Sequence, residues 1–344
     1  MTGSGSTTVC QPQSCCDQTA FPTIDLDISF RGIHMNAIVE FPQLANPATL
    51  RQADVEFDAE TSTMYWWMKP TPRPCFNSEL LAESTDFEGR IEQHKGWLSI
   101  DGRECKIENA VFGSRTPGVF NLGGDLGLFV QAILRKDRRL LQRYGHACVD
   151  NMYRRVAGYD AQVVTYSLVQ GKAFGGGFEC ALASETIVAE ESATFSFPEV
   201  LFNMFPGMGA LTLLGRRIGL SKAEEVIMSG TVFTARQMLE LGVVDEVAAD
   251  GAGLEATRYL IKSRQRRRNS FRAMSQAKRE FQPVSRSEMK AIVEIWVDAA
   301  LALENRDLRM MARLARAQDR IASPAEEVSV LDGDMLAAAV AANA

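Results

Sequence analysis

The sequence predicts an α/β fold, with a core of alternating strands and helices followed by a helical C-terminal region. Three observations carry this. Between Ala110 and Phe197, short β-rich runs alternate with helical stretches, and the strands end in glycine turns. From Ser221 onward the apolar spacing becomes helical. No run of about 18 apolar residues occurs, so no part of the chain is expected to be embedded in a membrane.

With 344 residues, the chain can bury a real core as one large or two modest domains. A formal charge of −6 speaks against a general nucleic-acid binder, which is normally basic. The first residues lack the basic-then-apolar pattern of a secretory signal. Seven scattered cysteines suit a reducing, cytoplasmic setting better than a disulfide framework. Cys10, Cys15 and Cys16 cluster, but no second cluster or nearby histidine completes a ligand set, so no metal site is expected.

Residues 1–22, rich in Ser, Thr, Gln and Gly, read as a disordered tail. Ile24–Phe30, Ala37–Phe41 and Thr63–Met68 are strand-like, and Pro70, Pro72 and Pro74 then break the chain before a helix near Asn77. Ala110–Gly113 turns at Pro117-Gly118 into Val119–Asp125, and helices follow over Leu126–Leu134 and Arg138–Val156. Gln162–Val169 is a buried-type strand, after which Gly175-Gly176-Gly177 opens a helix over Phe178–Ala183. Thr186–Ala189 and Thr194–Phe197 are short strands. Ser221-x-x-Glu224 reads as a capping box for Lys222–Ser229. A further helix is expected over Thr234–Leu241, then two long ones at about Leu254–Glu280 and Ser287–Arg320. The organisation expected is a core over 23–250, a helical region over 251–322 and a disordered tail over 323–344.

Three segments carry chemistry. Gly175-Gly176-Gly177-Phe178-Glu179 sits at a strand-to-helix junction, where glycines let a ligand approach the main chain and free N–H groups favour negative charge. That suits an oxyanion, although three glycines could also make a plain tight turn. Without a following Lys-Ser/Thr pair it is no nucleotide P-loop. Asn121-Leu122-Gly123-Gly124-Asp125 is a second such turn, with Asp125 the natural cap of the next helix. Glu199, set among Pro198, Val200, Leu201 and Phe202, would be desolvated, and desolvation raises a carboxyl pKa toward the range of a general acid or base. Surface salt bridging is the bland reading of any single glutamate.

Taken together, NLGGDL at 121–126, GKAFGGGFECAL at 171–182, FPEVLFNMFPGMGA at 197–210 and TARQMLELGVVDEV at 234–247 resemble the crotonase (enoyl-CoA hydratase/isomerase) superfamily. The resemblance is strongest over about 100–250. It implies a crotonase-like ββα spiral core with a C-terminal helical trimerisation region. It also implies oxyanion-hole N–H donors at Gly124 and Gly176 and catalytic carboxyls at Glu179 and Glu199. YWWMKPTPRPCF at 65–76, EIWVDAAL at 294–301 and LARAQDR at 314–320 are similar to the subgroup that makes diffusible signal factors, which are cis-2-unsaturated fatty acids.

That subgroup resemblance implies dehydration of a 3-hydroxyacyl chain on acyl carrier protein, then hydrolysis to the free acid. It brings no cofactor beyond the pantetheine carrying the thioester, a homotrimer or higher oligomer, and a membrane sensor kinase as partner. Gly123, Met208 and Trp296 are expected to contact substrate, the last two along the acyl chain. An ordinary hydratase or isomerase acting on acyl-CoA, and a catalytically idle crotonase-fold binding partner, are the competing readings. Lys262–Arg279 is rich in Lys and Arg; a solvated helix face and a dock for an acidic carrier protein both fit it.

Overall fold

The computed structural model describes residues 50–100 and 103–322. The expected strands at 24–30 and 37–41, the cysteine cluster at 10–16 and both expected tails lie outside them. The strands are β1 (Ala53–Asp58), β2 (Thr63–Met68), β3 (Trp97–Ile100), β4 (Arg103–Lys106), β5 (Asn109–Ser114), β6 (Val119–Asn121), β7 (Val164–Val169), β8 (Lys172–Phe174), β9 (Thr186–Glu190), β10 (Thr194–Ser196), β11 (Phe233–Thr234) and β12 (Glu246–Ala248).

Six of them form one sheet in the order β1-β2-β5-β7-β9-β12, parallel except for the β1–β2 pair. A four-stranded sheet runs β11-β10-β8-β6, with β10, β8 and β6 mutually parallel. Sequence-adjacent strands thus alternate between sheets: β5 then β6, β7 then β8, β9 then β10. This is the repeating turn of the ββα spiral. Parallel sheets need both faces covered, which explains why β2 and β9 are apolar-rich and buried at every position. Tyr65, Trp67, Val111, Tyr166, Leu168 and Val188 pack into one cluster with Ile261.

The helices between the strands are α1 (Ser78–Gln93), α2 (Leu126–Leu134), α3 (Arg138–Val156), α4 (Gly176–Leu182), α5 (Ala210–Ile218), α6 (Leu220–Ser229) and α7 (Ala235–Glu240). Asn77 caps α1, accepting the Leu80 N–H at 2.8 Å. The C-terminal region adds α8 (Gly253–Gln265), α9 (Arg268–Phe281), α10 (Arg286–Leu301) and α11 (Asn305–Ala322).

Three local expectations need correction. Ser221 does not cap α6: Gly219, with φ of 87°, both ends α5 and starts α6, so Ser221 already lies inside the first turn. The capping box sits instead at Thr234 and Gln237, on α7. Each long C-terminal helix is two helices. The break at Arg266-Arg267 falls in a run of arginines whose like charges at i,i+4 oppose a continuous helix. At the second break the buried Asp307 reaches back to the Glu304 N–H at 3.0 Å, starting a new helix.

Candidate active site

Parallel pairing of β6 with β8 puts the two glycine turns side by side, since Asn121 stands opposite Ala173. Asn121, fully buried, uses its Oδ1 to accept the Gly123 N–H at 2.8 Å and fixes the first turn. Gly123 has φ of 88°, and a Cβ there would stand 2.8 Å from both the Gly176 N and the Phe174 O. No side chain fits between the turns. A Cβ on Gly176 would be 3.5 Å from the Gly124 N, so the two amides expected to hold an oxyanion are close neighbours. As the first residue of α4, Gly176 has an N–H with no intrahelical acceptor.

Glu179 lies one turn into α4 and is 2 % exposed. Its Oε1 accepts the N–H groups of Met208 (2.8 Å) and Ala210 (2.9 Å) at the start of α5. Burial pushes its carboxyl up to about 7, and those main-chain donors hold the rise back. Glu199 sits in the short 3₁₀ helix Pro198–Phe202. The residue is half-buried, yet its Oε2 is buried and has no protein partner. Burial first, and then the charge of Glu179, push its carboxyl up to about 8.

Gly175 backs Glu199. Its backbone (φ 52°, ψ −124°) is open to glycine, and a Cβ there would stand 2.4 Å from Glu199 Oε1. Both glutamates, Gly124, Gly175 and Gly176 line one cleft of about 580 Å³ together with Met208 and Trp296. Trp296 rises from α10 against Gly207 and meets Phe129 edge-on, ring centroids 5.2 Å apart. Of the expected substrate-contacting residues, Met208 and Trp296 line the cleft; Gly123 supports the turn beneath it. The arrangement presents two adjacent amides for a carbonyl oxygen and two carboxyls able to exchange a proton near neutral pH.

The sequence profile of the Enoyl-CoA hydratase/isomerase family matches residues 102–307, more than half of the chain. The chain belongs to this family. Its fold is that of the crotonase superfamily, and it is an enoyl-CoA hydratase-like enzyme. An enoyl-CoA hydratase from Bacillus halodurans superposes with a TM-score of 0.63 at 20% identity, over 76% of this chain and 99% of that one. An enoyl-CoA hydratase from Mycobacterium avium subsp. paratuberculosis K-10 gives 0.59 at 15% identity, over 78% and 97%. Pseudomonas aeruginosa DspI gives 0.51 at 20% identity, over 80% and 97%. At such identities these likenesses speak for the fold.

Several residues that support this family site carry no obvious local signal. Gln318, on α11, donates its Nε2 to the carbonyls of Leu122 (3.2 Å) and Gly124 (3.1 Å). Arg73 bridges Asp125, at 2.9 Å, and Asp319. The Phe76 N–H donates to the Gly123 carbonyl and the Leu122 N–H to the Pro74 carbonyl, both at 2.8 Å. Segments 65–76 and 314–320, far apart in sequence, therefore meet at the Gly123-Gly124 turn. Asp125 caps α2 as well, accepting the Leu128 N–H at 3.1 Å.

Four of the eight basic residues of the Lys262–Arg279 run have acidic partners. Lys262 pairs with Glu60, Arg268 and Arg272 with Glu108, and Arg279 with Glu185. That pairing favours the solvated-face reading.

Proposed function

We propose that the protein is a diffusible signal factor synthase-like enzyme. It dehydrates a 3-hydroxyacyl thioester on acyl carrier protein to the cis-2-enoyl thioester and hydrolyses that product to the free fatty acid. The observation that carries the reading is the pair of carboxyls with pKa values of about 7 and about 8, lining one cleft with the amides of Gly124 and Gly176.

In the elimination, the ionised carboxyl of the pair removes the Cα proton while the amides of Gly124 and Gly176 receive the charge building on the thioester oxygen. The Cβ–O bond then breaks, and the protonated carboxyl gives its proton to the departing hydroxyl, which leaves as water. The pair holds one proton before and after, on opposite members, and its titration belongs to the pair. In the hydrolysis, an ionised carboxyl takes a proton from water attacking C1, the C–S bond breaks, and the same proton reaches the departing thiolate. Both steps load charge on the same oxygen, so one oxyanion hole serves both.

The meeting of 65–76 and 314–320 at the oxyanion turn supports the subgroup reading, because these are the segments that resemble signal factor synthases. Trimeric assembly through the helical region, a cytoplasmic setting and a membrane sensor kinase partner belong to the same proposal. The test is incubation of purified protein with 3-hydroxydodecanoyl carrier protein, followed by mass spectrometry. Free cis-2-dodecenoic acid is the expected product. Turnover of crotonyl-CoA alone would make the protein an ordinary hydratase, and turnover of neither would leave a binding role.

A further inference from the structure

Helix α11 carries a row of arginines on one face. Arg306, Arg309, Arg313, Arg316 and Arg320 are all exposed, and at about 100° per residue they fall within an arc of about 80°. The opposite face is packed against the protein: Asp307, Leu308, Met311, Ala312, Ala315 and Gln318 are buried. Met311 lines the catalytic cleft, and Gln318 holds the oxyanion turn. The arginines therefore stand on the back of a helix whose front is a wall of the active site.

Arg306 is answered locally, by Glu304 at 3.9 Å and Asp307 at 3.3 Å. Arg309, Arg313, Arg316 and Arg320 have neither an ion pair nor a hydrogen bond among the described residues. The one acid near them on the helix, Asp319, is turned to Arg73. Like charges three and four positions apart oppose helix formation, so such a row works against α11 unless something outside the helix answers it. A chain with a formal charge of −6 thus presents unanswered cations along a strip about 17 Å long.

The strip selects its partner by what it lacks. No large apolar side chain is exposed on α11, so it has nothing to insert into a membrane interface. The helix has no aromatic residue on which a base could stack. The phosphates of one coenzyme A would meet one or two arginines, whereas an acidic protein surface can meet the whole row. We propose that the outer face of α11 is the dock for an acidic acyl carrier protein, whose carboxylates pair with Arg309, Arg313, Arg316 and Arg320. The proposal rests on the carrier-thioester reading of the site and adds where that carrier sits. A helix with its side chains is about 10–12 Å across. A pantetheine arm, with about as many chain atoms as five residues, extends roughly 17 Å. From the back of α11 the arm reaches round the helix to the cleft in front of it.

The test compares the full-length wild type with Arg309→Glu/Arg313→Glu on one acyl group carried in two ways, as 3-hydroxydodecanoyl carrier protein and as 3-hydroxydodecanoyl-N-acetylcysteamine. Reversing two charges should lower kcat/KM about 30-fold for the carrier substrate and less than about twofold for the small thioester. Arg309→Lys/Arg313→Lys should keep at least about half the wild-type value on both, since the strip acts through its charge. If the glutamate variant does not fold, Arg309→Gln/Arg313→Gln decides, with a loss of about fivefold confined to the carrier substrate. Equal loss on both thioesters, or no loss on the carrier, overturns the proposal. A loss on 3-hydroxydodecanoyl-CoA as large as that on the carrier would assign the strip to phosphate and overturn it. So would charge-dependent binding to anionic phosphatidylglycerol vesicles with unchanged carrier kinetics.

Binding of saturated dodecanoyl carrier protein, read by fluorescence anisotropy, separates the dock from the dehydratase reading. A Kd raised about 30-fold by the glutamate variant, with no turnover of any thioester, would remove the dehydratase and keep the dock. Turnover of the carrier substrate that the glutamate variant leaves unchanged would do the reverse.

Discussion

On the α4 side of the cleft a carboxyl is pinned by the main chain, with the Met208 and Ala210 N–H groups both on Glu179 Oε1. Across from it, in the 198–202 turn, Glu199 keeps a buried oxygen that no protein group answers. Both are desolvated, but main-chain donors from Met208, Gly209 and Ala210 favour the ionised form of Glu179 whereas Glu199 has only its own main chain, and the pKa values are about 7 and about 8. The contrast shows how one cleft keeps a charge and a proton side by side: hydrogen bonds stabilise the first carboxylate, and that charge then discourages ionisation of the second.

The largest effect should come from erasing either member. Glu179→Gln and Glu199→Gln are each expected to lower kcat about 10³-fold without loss of the folded state, read by steady-state kinetics with circular dichroism. In the wild type, kcat/KM should peak between about pH 7 and about pH 8, where the pair holds one proton. It falls below that window as both carboxyls are protonated and above it as both ionise. A monotonic profile would break the comparison.

Gly175→Ala leaves both carboxyls in the sequence but drives a Cβ into the space of Glu199 Oε1. A loss of about 10²-fold in kcat is expected, since small displacements in a site are this costly. Gln318→Ala should be milder, about tenfold in kcat with KM nearly unchanged, because it loosens the Gly124 turn rather than the carboxyls. A change confined to KM would place Gln318 in substrate binding instead.

The remaining expected effect is on stability. Glu199 ionises near its ordinary 4.5 when unfolded and near 8 when folded, so folding takes up a proton between those values. Its own contribution to stability is therefore highest below about pH 4.5, falls as pH rises through the interval, and levels off above about 8. Glu199→Gln removes this dependence and should stabilise the protein by on the order of 2 kcal/mol at neutral pH relative to its effect in acid, measured by denaturant unfolding. An equal change at both pH values would mean that Glu199 is not desolvated in solution.

How legible all this was depends on sequence distance. The two glycine turns and both glutamates stand within 79 positions, 121 to 199, and each declares itself locally through glycine pairs or an acid among apolar residues. Helices α2 and α3 were equally plain, being bounded by Asp125 and Asp137 caps and strong apolar spacing. The supports were not. Gln318 reads as an ordinary polar position on an amphipathic helix until α11 is laid across the Gly123-Gly124 turn. Met208 read as part of an acyl pocket, whereas its N–H is what pins Glu179; main-chain donors leave no trace in residue type. The breaks at Arg266-Arg267 and before Asn305 were hidden because neither carries a glycine or proline to mark a helix end.

The tie between Gln318 and the oxyanion turn has a consequence for the order of synthesis. A nascent chain leaving the ribosome presents both glutamates and both turns well before α11 emerges to steady Gly124. Translation therefore withholds this support until the last described helix is made, and a premature stop ahead of Gln318 would leave the Leu122 and Gly124 carbonyls without its amide.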